Sequence, residues 1–148
     1  GGLWSRLETL VRDFATNDEY TALHCDTLYI VKAATITDKV TINDQEVDGI
    51  YADRCVGNAS HKHELIVPKY FYMAFLYYDK SANSYKAFAL WTEHLNSNNP
   101  SAATVINNRI SIDELERRTG IDFFCNLPDD IEATVEATAT YWDNSSNN

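Results

Sequence analysis

Two apolar runs separated by a short polar turn constrain the fold of this chain more than any other feature. Residues 71–78 are rich in aromatic side chains and residues 85–91 are again apolar, which is typical of buried β-strands. The stretch between them, Lys-Ser-Ala-Asn-Ser at 80–84, has the composition of a turn. The segment therefore predicts a β-hairpin. Its aromatic stripe could stack nucleic-acid bases, but a hairpin also needs a buried face, which favours packing.

The remaining segments predict helices and further strands, and hence an α+β fold with a mainly antiparallel sheet flanked by helices. Ser111 followed by Glu114 is a capping-box pattern, and Gly120 is placed to end the helix that follows. Pro128 opens a last helix. The predicted elements are helices at 3–14, 112–119 and 129–138, strands at 27–34, 71–78 and 85–91, weaker strands at 39–42 and 49–52 around a turn at 43–44, and a polar loop at 95–101.

Length and composition predict one globular domain. The 148 residues, 45% of them hydrophobic, can bury a single core, which we expect within residues 1–142, followed by a polar tail at 143–148. The net charge is −10, from 22 acidic and 12 basic residues, and this is unfavourable for binding phosphates. No apolar run approaches the ~20 residues that span a bilayer, so no membrane partner is expected.

The N-terminal segment has helical periodicity and carries a carboxylate and a guanidinium on one face. Its apolar positions form one stripe at helical spacing: Leu3, Trp4, Leu7, Leu10 and Val11. Glu8 and Arg12 are four residues apart, so they lie one turn apart on the same face. Two interpretations stay open. The pair is an ordinary surface ion pair, or it holds a metal-bound water and a phosphate together.

The run G-x-W-x-x-L-E-x-x-x-R at residues 2–12 resembles the metal-site helix of the DNA/RNA non-specific endonucleases, the ββα-metal nucleases. In that family the motif begins N-x-G-x-W, so the Asn that binds the metal directly would precede Gly1. The family's D-R-G-H segment, whose His is the general base, does not occur in this sequence. The resemblance therefore implies the C-terminal part of a ββα-metal nuclease fold.

Later segments continue the resemblance in order and spacing. They are residues 28–31, 67–74, 87–90 and 111–124, the last closed by Leu-Pro-Asp-Asp at 127–130. The block at 111–124 is the most specific, and it concerns structure rather than chemistry. The resemblance thus extends from Trp4 to about Ile131, whereas residues 35–64 match no segment of the family.

The resemblance implies a metal-dependent endonuclease that hydrolyses phosphodiester bonds in DNA and RNA without sequence preference. Glu8 and Arg12 are the implied catalytic residues. Glu8 would contact Mg²⁺, or another divalent cation, through a water molecule. Arg12 would bind the phosphate and neutralise its charge as the reaction proceeds. Trp4 would pack beneath the helix and set its angle.

The same resemblance implies partners. They are DNA and RNA, an N-terminal segment of the same precursor that supplies the His and the Asn, and a second copy in a homodimer. The chain alone would be inactive, and the protein would be secreted or periplasmic. The acidic composition and the absent groups support a different class, which stays open: a noncatalytic processed fragment, or a structural or binding module that keeps the nuclease scaffold.

The three cysteines leave their redox state open. Cys25, Cys55 and Cys125 fit either one disulfide with an odd cysteine or three buried reduced thiols. The chain has no Cys-x-x-Cys spacing, which argues against a zinc site built on them.

Two further polar clusters are explained better by structure than by chemistry. Arg117 and Arg118 follow Glu114 on one helix, which favours a solvated helical face over a phosphate site. Glu93 and His94 are adjacent at the end of a strand, where neighbouring side chains face apart. This favours a surface position over an acid–base pair.

Overall fold

An antiparallel sheet whose middle pair is the expected hairpin forms the centre of the fold. The structure, a computed structural model, describes residues 3–16, 27–51, 66–80, 82–95 and 101–140. The elements in these ranges are α1 (Leu3–Thr16), β1 (Leu28–Ala34), β2 (Lys39–Ile42), β3 (Gln45–Asp48), β4 (Tyr70–Asp79), β5 (Ser84–Glu93), α2 (Ala102–Asn107), β6 (Arg109–Ile110), α3 (Ile112–Thr119) and α4 (Asp129–Glu136). The main sheet has the order β1-β4-β5-β6, and β2 pairs with β3 separately.

Strands β4 and β5 pair along their full length, as the two apolar runs predict. The register extends from Tyr70 opposite Glu93 to Asp79 opposite Ser84. Asp79 is buried at the end of β4, and its carboxylate forms an ion pair with Lys86 on β5. This contact stabilises the end of the hairpin next to its turn, since a buried carboxylate is costly unless it is paired.

Each face of the sheet has its own core, because alternate side chains of a strand point to opposite sides. The α1-side core also contains one residue of α2, and it consists of Leu7, Leu10, Val11, Phe14, Met73, Phe75, Tyr77, Phe88, Leu90 and Val105. The α3/α4-side core consists of Val40, Tyr72, Ala74, Leu76, Ala87, Ala89, Trp91, Ile112, Leu115, Phe123 and Val135. The fold is therefore a layer of helices, a sheet and a second layer of helices.

Helix α1 is anchored by one apolar face. Its buried residues recur at the spacing of one helical side: Leu7, Leu10, Val11 and Phe14. The ring of Phe14 meets that of Phe75 edge-on, with 5.9 Å between centroids. Fully burying one such side chain contributes about 2 kcal/mol. The predicted helix is confirmed and extends two residues further than expected, to Thr16.

Helix α3 begins and ends where the sequence predicts. The Ser111 hydroxyl accepts the Glu114 N–H at 3.1 Å, and Gly120 ends the helix in the left-handed conformation, with φ of 70°. The Glu114 carboxylate reaches forward to Arg117 and Arg118. The expectation of a charged, solvated face is confirmed for Arg117, which is exposed, whereas Arg118 is half-buried.

The strand predicted at residues 49–52 is wrong for residues 49–51, the part that the structure describes, and the partner of β2 is instead β3 at Gln45–Asp48. Asn43 and Asp44 both have positive φ, 51° and 59°. A two-residue turn of this kind reverses the chain at once and twists it to match the paired strands. The partner strand therefore starts directly after the turn, with Ile42 opposite Gln45.

Two short elements, α2 and β6, were not predicted. The Ser101 hydroxyl caps α2 by accepting the Thr104 N–H at 3.1 Å. A helix of six residues is too short to show clear periodicity, and a strand of two residues is shorter still. In β6, Ile110 pairs with Ala89 of β5. Helix α4 ends at Glu136, two residues earlier than predicted.

Cys125 is exposed and free, so the expectation of a buried thiol is wrong for this residue, which lies in the connection between α3 and α4. Cys25 and Cys55 lie outside the described residues, so the choice between one disulfide and reduced thiols stays open for these two. Residues 96–100 of the predicted loop and the tail at 143–148 also lie outside them. Within the described ranges, no helix is long and apolar enough to cross a bilayer.

Candidate functional site

Glu8 and Arg12 lie on the outer side of α1. Each directly follows a core residue, Leu7 and Val11 respectively, so the helical phase that buries the apolar stripe turns both charged side chains to solvent. Both are exposed. Because the opposite face of α1 is packed on the sheet, these two side chains are presented by a fixed backbone.

The surface ion pair that one interpretation expects between Glu8 and Arg12 is not formed. The salt bridges within the described ranges are Lys39–Asp48, Lys86–Asp79, Arg117–Asp44, Arg117–Glu114 and Arg118–Glu114. Neither side chain on α1 is therefore paired with another described residue. The carboxylate of Glu8 and the guanidinium of Arg12 are both available to bind a ligand.

A line of aromatic contacts fixes the start of α1 against the sheet. Trp4 is half-buried, and its ring centroid lies 4.8 Å from that of Phe71 at the start of β4. Phe71 in turn lies 4.7 Å from the ring of His94, just after β5. Nδ1 of His94 lies 2.9 Å from the carbonyl oxygen of Pro68. His94 is exposed at the strand end, as expected. Trp4 holds the first turn of α1 against the sheet.

Glu8 can contribute one carboxylate to a hard divalent cation, but it does not complete a ligand set. In the described part of the chain, the group of three close candidate ligands is Asp113, Glu116 and Glu136, and it does not include Glu8. A divalent cation prefers several oxygen ligands. Among the described residues, Glu8 therefore has no ready group of carboxylate, imidazole or thiolate ligands beside it, and its contact with a cation through water stays a prediction.

A second titratable cluster, which we call the acidic cluster, lies on the other side of the sheet. It consists of Asp113 and Glu116 on α3 and Glu136 on α4, with one carboxylate oxygen of each within 4.8 Å of the others. Burial, with the charges of Glu116 and Glu132 next in importance, raises the pKa of Glu136 to about 7. Burial also raises the pKa of Glu116, although a hydrogen bond from the Phe123 N–H opposes this.

The acidic cluster was not predicted from the sequence. The available signals are the spacings of the carboxylates: Glu116 is the third residue after Asp113, and Glu136 is the fourth residue after Glu132. Such spacings place both members on one helical face. They are common on solvated helices, so they indicate a site only when the structure shows that two such faces meet.

The arginines of α3 do not neutralise the acidic cluster. Burial alone would raise the pKa of Glu114, but hydrogen bonds from Arg118 and Arg117 hold it below the ordinary value. The guanidinium of Arg118 also lies over the ring of Trp91, 5.2 Å from its centroid. Both basic side chains are thus committed to Glu114 and to the flank of the helix that carries it.

A cleft of about 500 Å³ lies between α4 and the turn of the β4–β5 hairpin. Its walls include Tyr78, Tyr85 and Lys86 from the hairpin and Ile131 and Thr134 from α4. It contains neither the charged pair of α1 nor the acidic cluster. The cleft is therefore separate from both of these groups of charged side chains.

The family of this chain follows from its similarity to known proteins. The sequence matches the DNA/RNA non-specific endonuclease family over residues 1–130, and the chain belongs to that family. It is 29% identical to the nuclease of Serratia marcescens over 93 residues, which are 62% of this chain and 33% of that protein. The fold is similar to a chain in the crystal structure of the EndoG/EndoGI complex, with a TM-score of 0.58 and 14% identity.

These similarities confirm the predicted family and the predicted α+β fold. The structural similarity covers 87% of this chain and 46% of the other. The chain thus spans a third of the Serratia nuclease and less than half of its structural relative. The family match also extends through residues 35–64, which no motif had placed. The roles of Glu8 and Arg12 stay predictions.

Proposed function

We propose that this chain is the C-terminal part of a DNA/RNA non-specific endonuclease and that α1 supplies part of its catalytic site. The observation that carries the proposal is the state of Glu8 and Arg12, which are exposed, unpaired within the described residues and one turn apart on an anchored helix. The family gives the class of substrate. The short share of the Serratia nuclease that the chain covers supports the need for a further segment.

The two side chains of α1 have complementary tasks. Arg12 donates hydrogen bonds to phosphate oxygens through its planar guanidinium and neutralises the charge that grows as the phosphorus becomes five-coordinate. Glu8 accepts a hydrogen bond from a water molecule beside the phosphate and holds its orientation. A bound divalent cation, with Mg²⁺ as the expected ion, would polarise the phosphate and stabilise the leaving oxygen. Since these groups contact the backbone and not the bases, DNA and RNA are both substrates.

The proposal assigns the remaining groups to an N-terminal segment of the same precursor. That segment supplies the His that removes a proton from the attacking water and the Asn that binds the cation directly. This chain alone is therefore inactive. We place the assembled enzyme outside the cytoplasm, as a secreted or periplasmic protein, and two copies would form the dimer implied by the family.

The net charge of −10 does not oppose phosphate binding at α1. The helix itself is balanced, with Arg6 and Arg12 against Glu8 and Asp13. The acidic excess is concentrated elsewhere, above all on α4, whose eight residues include four carboxylates and no basic group. Because exposed charges further apart than about 10 Å are largely screened, phosphate affinity depends on the groups around α1.

The test compares this chain with the product of its own gene that includes the N-terminal segment. Supercoiled plasmid DNA and RNA are each incubated with both proteins in Mg²⁺ and in chelator. We expect cleavage of both substrates by the longer protein in Mg²⁺ only, and none by this chain. Native mass spectrometry of the purified protein then shows whether a second polypeptide stays bound. Failure of the longer protein to cleave either substrate would overturn the proposal in favour of a noncatalytic module.

A further inference from the structure

Carboxylates of two helices converge behind the sheet, on the side away from Glu8. Asp113 and Glu116 share one face of α3, and Glu136 lies at the end of α4. Their nearest oxygens lie within 4.8 Å of one another. Oxygens that share a Ca²⁺ ion at the usual 2.3–2.6 Å are at most about 5 Å apart. The three side chains are thus already within the span of a single ion.

Glu136 is the most buried member of the acidic cluster, and one of its carboxylate oxygens has no partner. It is only 5% exposed, and its Oε1 is buried with no hydrogen-bond partner. Oε1 of Glu132, one turn earlier on α4, is also buried and unpartnered. A buried carboxylate oxygen without a partner loses its hydration and gains nothing in return. Two such oxygens on one helix face indicate that a positively charged group belongs between α3 and α4.

The described residues do not supply that positive charge. The charged groups that affect the Glu136 carboxylate most are Glu116, Glu132, Asp113 and Asp122, all of them acidic. Helix α4 has no basic residue, and the arginines of α3 are bound to Glu114. Glu136 is also the last residue of α4, where the helix dipole is negative and a carboxylate is unfavourable.

We propose that Asp113, Glu116 and Glu136 form a binding site for a hard divalent cation, with Ca²⁺ as the preferred ion. The bound cation would join α3 to α4. Three carboxylates offer up to six oxygens, and Ca²⁺ accepts six to eight in a flexible arrangement, whereas Mg²⁺ demands a near-ideal octahedron. Glu132 lies one turn from Glu136 and can contribute directly or through water. The inference is independent of the proposed function, because the site lies on the opposite side of the sheet from α1.

The test is the thermal unfolding of the full chain at pH 7.5, in chelator and in 1 mM CaCl₂. Wild-type protein should gain roughly 5 °C in Tm with Ca²⁺. Glu136→Gln keeps the shape of the side chain and removes a buried charge, so it should fold and should show no gain. Asp129→Asn makes the same change at an exposed position of α4 and should keep the full gain. Glu8→Gln should also keep it, which separates this site from α1.

Isothermal titration with CaCl₂ supplies the direct measurement. We expect one binding event for the wild-type chain and for Asp129→Asn, and a loss of at least tenfold in affinity for Glu136→Gln. The proposal is overturned if neither Ca²⁺ nor Mg²⁺ raises the Tm of the wild-type protein. It is equally overturned if Glu136→Gln gains as much as the wild type, since the cation would then bind elsewhere.

Discussion

The two sides of the central sheet carry charged groups in opposite states. On the α1 side, Glu8 and Arg12 are exposed and unpaired within the described residues, while the apolar face beneath them is fully packed. On the α3/α4 side, carboxylates lie at the edge of the core, and Glu136 is almost completely buried. An exposed charge on an anchored helix costs little stability and is free to bind a substrate. A buried charge without a partner must be compensated by a ligand or a proton.

This contrast separates a site for reaction from a site for stability. Water hydrates the α1 pair until a ligand replaces it, so changes there should alter activity and leave unfolding unaffected. The acidic cluster is part of the packing between α3, α4 and the sheet. Changes there should therefore alter stability, and should do so in a manner that depends on cations and on pH.

The largest expected effect is that of Glu8→Ala on cleavage by the assembled protein. The rate on plasmid DNA and on RNA should fall about a thousandfold, because positioning and proton-transfer groups contribute on this scale. Circular dichroism and Tm should be unchanged. Asp13→Asn, an exposed carboxylate of the same helix, is the matched control and should keep the wild-type rate. An unchanged rate for Glu8→Ala would remove this residue from the mechanism and weaken the contrast between the two sides of the sheet.

The second effect is a loss of stability with rising pH in protein kept in chelator. Burial and the charges of Glu116, Glu132, Asp113 and Asp122 raise the pKa of Glu136 to about 7 in the folded chain, from 4.5. The folded state then binds more protons than the unfolded state between these values. The contribution of Glu136 to the free energy of unfolding should therefore be fully present below pH 4.5 and fall by on the order of 3 kcal/mol as pH rises through 7.

Urea unfolding at a series of pH values measures this slope, with Glu136→Gln for comparison. The variant has no carboxylate to titrate at this position, so its stability should change less across the same window. In chelator at pH 8 it should also be more stable than the wild type. If stability changed equally with pH in the two proteins, the surroundings of Glu136 would not raise its pKa. The contrast between the two sides of the sheet would then lose its physical basis.

The third effect is that of Arg12→Lys, which tests whether phosphate binding needs the planar guanidinium of Arg12. An ammonium keeps the charge but not the planar pair of donors, so cleavage by the assembled protein should fall about tenfold. Arg117→Lys changes an exposed arginine on the other side of the sheet and should leave the rate unaltered. A normal rate for Arg12→Lys would reduce Arg12 to a general positive charge near the phosphate.

Much of the fold could be predicted because its signals are local. The stripe of α1, the alternation of β4 and β5, and the cap of α3 each depend on residues within one element. The turn at 43–44 was predicted, but its two-residue form, with positive φ at Asn43 and Asp44, was not, so the strand after it was placed four residues too late. Helix α2 was missed because six residues are too few to show helical periodicity.

The two candidate sites also differ in whether their sequence signals are local. Glu8 and Arg12 could be found from sequence because one helical turn places them together, and their exposure follows from the adjacent core positions. The acidic cluster depends on two helices that are separated along the chain and meet only through packing on the sheet. Its defining property, the burial of Glu136, is set by tertiary structure and has no counterpart in a linear motif.

The smallest effect compares one helix cap from each side of the sheet. Ser111 caps α3 and Ser101 caps α2, each by accepting an N–H at 3.1 Å. Loss of a cap costs typically about 1 kcal/mol. Ser111→Ala should cost more than Ser101→Ala, because the hydrogen bond of Ser111 is partly buried and that of Ser101 is exposed, where water can replace the lost hydroxyl.

Urea unfolding of both variants at one pH measures the two costs, and Ser111→Thr, which keeps the hydroxyl, should recover most of the loss. Equal costs for the two alanine variants would mean that water reaches the start of α3 as easily as that of α2. The α3/α4 side would then be more hydrated than its buried carboxylates indicate. A larger cost at Ser111 would support the dry environment that makes the unpartnered oxygens of Glu132 and Glu136 costly.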